Sequence, residues 1–138
     1  MFNLKPLIPA LLATSFLPAT MAETCSAIGS LSDNSVVGLG PQGLSSNVIL
    51  QNGNGDKIGE LEVCDTCPHA CTDLAYIEGE GLEDSFAWAA SCSINHFKEC
   101  HGAYATQTHI DGEEPEGGSD FYGVGIATSS QCKVEFEC

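Results

Sequence analysis

Asp84-Ser-Phe-Ala-Trp-Ala-Ala-Ser-Cys-Ser-Ile94 is the stretch on which the fold class turns. Taken with period two, it places Phe86, Trp88, Ala90, Cys92 and Ile94 on one face and Ala87, Ala89, Ser91 and Ser93 on the other. Taken as a helix, it groups Leu82, Phe86, Ala90, Ile94 and Phe97 and leaves Trp88 aside. Period two collects every large residue, so a strand is expected, with a helix at about 83–98 in an α+β fold as the alternative.

The flanking sequence supports the strand. Toward the C-terminus, Ala103 to Ile110, Phe121 to Thr128 and Cys132 to Cys138 all alternate; Lys133, Glu135 and Glu137 face away from Val134 and Phe136, as in antiparallel sheet with one wet side. Toward the N-terminus, Asn47 to Gln51 and Lys57 to Val63 flank Asn52-Gly53-Asn54-Gly55, whose residues tolerate positive φ, so a β-hairpin is expected. Ile58 points opposite to Leu61 and Val63, which suggests a bulge at Gly59. Thr24 to Gly43 is rich in Ser, Gly and Asn and reads as an edge strand around Val36-Val37 before a turn at Gly40 to Gly43. Thr72 to Glu83 reads as an acidic connector and Asp111 to Asp120 as a loop. About seven short strands at this spacing imply a mainly β protein, an antiparallel β-sandwich or β-barrel.

Composition narrows the function. The 138-residue chain carries 4 Lys and no Arg against 19 Asp plus Glu, a formal net charge of −15. Nucleic-acid binding requires cations that neutralise phosphates, and attachment to anionic lipid requires basic clusters, so neither is expected. Met1 to Ala22 has one charge, Lys5, an apolar run from Leu7 to Ala19, and small residues Thr20 and Ala22 before a cut. It reads as a secretory signal peptide, followed by a single domain over 23–138. Cleavage would leave Lys57, Lys98 and Lys133 against the same 19 acids, a net charge of −16.

All eight cysteines lie after that segment, at 25, 64, 67, 71, 92, 100, 132 and 138. In an oxidising compartment they read as a disulfide framework, although about 105 pairings are conceivable. Cys64, Cys67, His69 and Cys71 have the short spacing of a zinc site, but export favours disulfides over thiolate ligation. Asp111, Glu113 and Glu114, with Glu116 and Asp120, offer oxygen donors for a hard cation but lack the EF-hand order, so a solvated loop is the default. His96, His101 and His109 read as surface or partly buried histidines, with a contribution to a pH response as the alternative. No metal and no cofactor is therefore expected. The chain has no Gly-x-Ser-x-Gly elbow and no Arg, so an enzyme is not expected; a small extracellular hydrolase built on a carboxylate pair is one alternative and a metal-binding secreted module another.

The hairpin at Asn47 to Gly55, Leu61-Glu-Val-Cys64, Leu82 to Cys92 and the late Gly-Val-Gly-Ile-Ala-Thr strand before Cys132 and Cys138 resemble, in order, the Alternaria major-allergen family. Its members are fungal secreted proteins that form a β-barrel and act as allergens or as plant-defence elicitors and effectors. The resemblance implies disulfides Cys64–Cys92 and Cys132–Cys138, and a homodimer linked through Cys25. Cys67, Cys71 and Cys100 depart from it; a bridge from Cys67 or Cys71 to Cys100 would accommodate two of them. A straight strand from Cys132 to Cys138 would separate its ends by about 20 Å, whereas a disulfide needs a Cα separation of about 4.4–6.8 Å. Either the tail folds back or each cysteine has another partner. The expected function is that of a secreted effector or elicitor that binds a host extracellular protein, favoured if basic, or a small ligand.

Overall fold

A computed structural model describes residues 22–36, 40–61, 69–93, 96–122 and 125–138. Met1 to Met21 of the expected signal peptide, Val37, Val63, Ile94, Cys64 and Cys67 lie outside these residues. Strands β1 (Thr24–Val36), β2 (Gly40–Gln51), β3 (Lys57–Leu61), β4 (Ala75–Ile77), β5 (Phe86–Ser93), β6 (His96–Tyr104), β7 (Gln107–Asp111), β8 (Glu116–Tyr122) and β9 (Gly125–Glu137) form two antiparallel sheets. One has the order β3-β2-β1-β9-β8 and the other β4-β5-β6-β7. The sheets do not close into a barrel, so the sandwich is the arrangement present.

The deciding stretch is β5. Phe86 and Trp88 are buried, Ala90 and Cys92 half-buried, and no helix runs through 83–98 among the described residues. A helix would have left Trp88 off the buried face. The Asn52–Gly55 hairpin also forms, with Leu50 opposite Gly59 and Gln51 opposite Lys57. The extra residue is thus Ile58, one position before the expected bulge. This shift lets Ile58 and Leu61, three positions apart, both pack against the core. Gly59 has a separate reason to be small, since a Cβ there would meet the carbonyl of Glu78.

Elsewhere the chain is folded more tightly than the alternation suggests. Ala103 to Ile110 is not one strand: β6 turns back at Ala105-Thr106 into β7, with Ala105 at φ 49°. Phe121 to Thr128 divides between β8 and β9, part of the acidic loop is β8, and the Thr72–Glu83 connector contains β4. Nine strands are therefore present among the described residues where about seven are expected. The expected edge strand is instead central, because β1 pairs with β2 on one side and β9 on the other. Its buried residues are Cys25, Ala27, Gly29, Leu31 and Asp33, and at Gly29 the small size is required because Trp88 and Phe97 of the facing sheet fill the space above it.

The core lies between the sheets. Phe136 of β9 meets Phe86 at a ring-centroid distance of 4.5 Å and Tyr104 at 5.0 Å, and Trp88 stands edge-on to Phe97. A 3-10 turn at His69–Cys71 covers the Trp88 end: Trp88 Nε1 donates to the Ala70 carbonyl at 3.0 Å, and Ala70 N donates to the buried Ser46 hydroxyl at 2.8 Å. An alanine methyl at Gly29 would sit 2.8 Å from Trp88 Cη2 and 3.1 Å from Phe97 Cζ. Gly29→Ala is therefore expected to cost about 1–3 kcal/mol in urea unfolding; an unchanged midpoint would contradict this packing.

The disulfides correct the pairings that the resemblance implies. Cys92 bonds Cys71, Cys132 bonds Cys100, and Cys138 bonds Cys25 of the same chain. Hence neither Cys64–Cys92 nor Cys132–Cys138 forms, Cys25 does not link two chains, and Cys71 does not bridge Cys100. The extended course of the last strand keeps Cys132 and Cys138 from pairing. β9 runs unbroken from Cys132 through Glu137, so Cys132 and Cys138, the residue after it, are held apart and find partners on β6 and at the start of β1.

Candidate functional site

The outward face of the four-stranded sheet gathers a cluster of titratable side chains. In the β6–β7 hairpin His101 lies opposite Asp111, and Gly102 opposite Ile110. Gly102 is buried and Ile110 packs on the core, so alternation turns His101, His109 and Asp111 outward together. Asp111 Oδ1 lies 3.2 Å from His101 Nδ1 and 2.9 Å from His109 Nε2, and the two imidazoles stack with centroids 5.0 Å apart. Behind them, Glu99 Oε2 is 3.7 Å from His101 Nε2, and its other oxygen accepts a hydrogen bond from Ser91 Oγ at 3.1 Å.

Beside this cluster Ala87, Ala89 and Ala103 form the floor of a shallow depression of about 160 Å³, walled by Leu74, Thr108 and the two histidines. Leu74 and Tyr76, 54% and 66% exposed, are the large apolar side chains left in solvent among the described residues. Tyr76 lies opposite Ala87 and Leu74 lines the depression. A second, open groove of about 430 Å³ lies between β6, β8 and β9, lined by His96, Phe97, Pro115 and Thr128 among others. The Thr128 hydroxyl oxygen is buried without a hydrogen-bond partner among the described residues.

Two of the lysines, Lys57 and Lys133, are engaged locally. Lys57 Nζ pairs with Glu60 Oε2 at 2.5 Å, and this hydrogen bond, with a second from Asn47, holds the Glu60 carboxyl below its usual range. Lys133 hydrogen-bonds Glu135 and lies 3.7 Å from Glu113, and the Glu135 bond raises the lysine's pKa. Both pairs face water, so their stabilisation is small. The Glu60 contribution is present above the ordinary carboxylate pKa and fades as pH falls through the lowered one. That of Lys133 is present below the ordinary ammonium pKa and is lost as pH rises through the raised one.

The expected donor sets are rearranged. Cys71 is disulfide-bonded, so its sulfur is not a free thiolate; Cys64 and Cys67 lie outside the described residues, and His69 is described only as the start of the 3-10 turn. Asp111 joins His101 and His109 rather than Glu113 and Glu114. Glu113 turns to Lys133, and both Glu113 and Glu114 line a separate small groove with Glu116 and Gln131. The histidine pair is what sequence reasoning missed. Its signal was His109-x-Asp111, but the cross-strand position of His101 is visible only once the turn at Ala105-Thr106 is known.

Among the described residues no helix is long and apolar enough to cross a membrane. Compared with known proteins, the chain matches no family model, no curated protein and no solved structure.

Proposed function

We propose that this is a secreted, disulfide-stapled protein of the fungal effector or elicitor type, which acts by binding a basic extracellular host protein. The carrying observation is a surface rich in carboxylates whose lysines at 57 and 133 are each paired with a neighbouring acid, leaving a strongly negative field beside the exposed Leu74 and Tyr76. Such a field accelerates encounter with cationic partners, and the apolar rim supplies contact area once they meet. The resemblance to the Alternaria major-allergen family is part of this proposal. Small-ligand binding is a second reading, favoured by the Thr128 hydroxyl, which has no hydrogen-bond partner among the described residues, in the β6–β8–β9 groove.

Immobilised protein is expected to retain a basic protein from host extracellular fluid at about 0.01 M salt and to release it at about 0.15 M or above, as the screening length falls from ~30 Å to ~8 Å. Leu74→Ser combined with Tyr76→Ser should weaken retention without altering the fold. Failure to retain any protein at low salt, or retention indifferent to both salt and the double substitution, would overturn the reading.

A further inference from the structure

The cluster on the β6–β7 hairpin goes beyond that reading. We infer that His101, His109 and Asp111 form a binding site for a divalent transition-metal ion of the zinc or copper class. The donor geometry carries the inference. One ligand atom from each residue lies within 4.8 Å of the others, and Asp111 Oδ1 is 3.2 Å and 2.9 Å from the two imidazole nitrogens. Donors about 2.0–2.1 Å from a tetrahedral zinc are spaced by about 3.3 Å along each edge, which both Asp111 contacts already approach, and the two ring nitrogens lie within 4.8 Å of each other.

The chemistry of the set selects the ion. Two imidazoles and a carboxylate suit zinc and copper, whereas calcium and magnesium demand six or more oxygens that these residues do not offer. The sheet fixes the geometry, since His101 and Asp111 are directly cross-strand and His109 is two positions along the same face. Glu99, anchored by Ser91, lies toward the far nitrogen of His101, where a carboxylate orients a ligating imidazole and raises its basicity. Each ring ligates as neutral imidazole through the nitrogen turned to Asp111 and carries its one proton on the other nitrogen, which in His101 is the one nearest Glu99. Three protein ligands leave a coordination position open to water or to a donor from a partner.

The test is calorimetric titration of the tag-free chain with zinc chloride, in parallel with calcium chloride, while the imidazole proton resonances are followed by NMR. One zinc per chain is expected to bind saturably, with the His101 and His109 signals shifting together, and calcium should give no comparable isotherm. His109 and Asp111 are exposed, so His109→Ala and Asp111→Asn should fold normally by circular dichroism while each weakens zinc at least about tenfold. Glu113→Gln combined with Glu114→Gln, which removes two nearby carboxylates outside the cluster, should leave zinc affinity unchanged. No saturable zinc binding would overturn the inference. So would zinc binding that His109→Ala leaves intact, or that the Glu113/Glu114 pair weakens equally, since either marks diffuse attraction to an acidic surface.

Discussion

Substituting both Cys100 and Cys132 by alanine is expected to lower the stability of the folded protein by about 2–5 kcal/mol. Of the described disulfides this is the one that ties the two sheets together, from β6 to β9 across a sequence separation of 32. Its neighbourhood is also where the chain crosses between sheets: Gly112 N donates to the Cys100 carbonyl at 2.8 Å, and Glu113 N to the Lys133 carbonyl at 2.7 Å. Cys25–Cys138 spans a longer separation, 113, but it clasps the ends of β1 and β9, which already pair along their whole length. Cys71–Cys92 pins the 3-10 turn onto β5. Urea unfolding followed by circular dichroism measures the difference. A loss below about 1 kcal/mol would mean that sheet packing alone holds the sandwich.

Trp88→Ala is expected to cost about 3–5 kcal/mol. The indole is fully buried, covers Gly29 of the opposite sheet, meets Phe97 edge-on and donates to the Ala70 carbonyl. Its removal opens a cavity and strands a buried acceptor at once. Trp88→Phe separates the two effects, because it keeps much of the volume and loses the hydrogen bond, an expected cost of about 1–3 kcal/mol. Trp88 is the chain's single tryptophan, so its emission should be blue-shifted in the native protein and move to the red on unfolding. Native emission at the wavelength of a solvated indole, or a stability unaffected by Trp88→Ala, would contradict the packing.

The parts of the fold that were legible in the sequence are those where a large residue alternates with a small or polar one. Phe86 and Trp88 in β5, Val134 and Phe136 in β9, and the Asn52–Gly55 turn announce themselves, because side-chain size and turn chemistry act locally. β1 was not legible as a central strand. Three of its buried positions are Cys25, Ala27 and Gly29, the last held small by aromatic rings from the other sheet, and nothing within Thr24–Val36 reports on those rings. The β6–β7 reversal was hidden for a different reason. Ala105-Thr106 is a turn without Gly, Asn or Pro, and Ala105 adopts a positive φ because the paired strands on either side impose it. With that turn unseen, the approach of His101 to His109 and Asp111 was invisible too. Disulfide partners depend on which strands become neighbours across the sandwich, and that is decided by tertiary packing.

Partial proteolysis without reduction, followed by mass spectrometry of the linked peptides, tests the two-sheet arrangement most directly. Bridges joining Cys25 to Cys138, Cys71 to Cys92 and Cys100 to Cys132 are expected within a single chain. Peptides joining Cys132 to Cys138 or Cys64 to Cys92, or a dimer linked through Cys25, would contradict it.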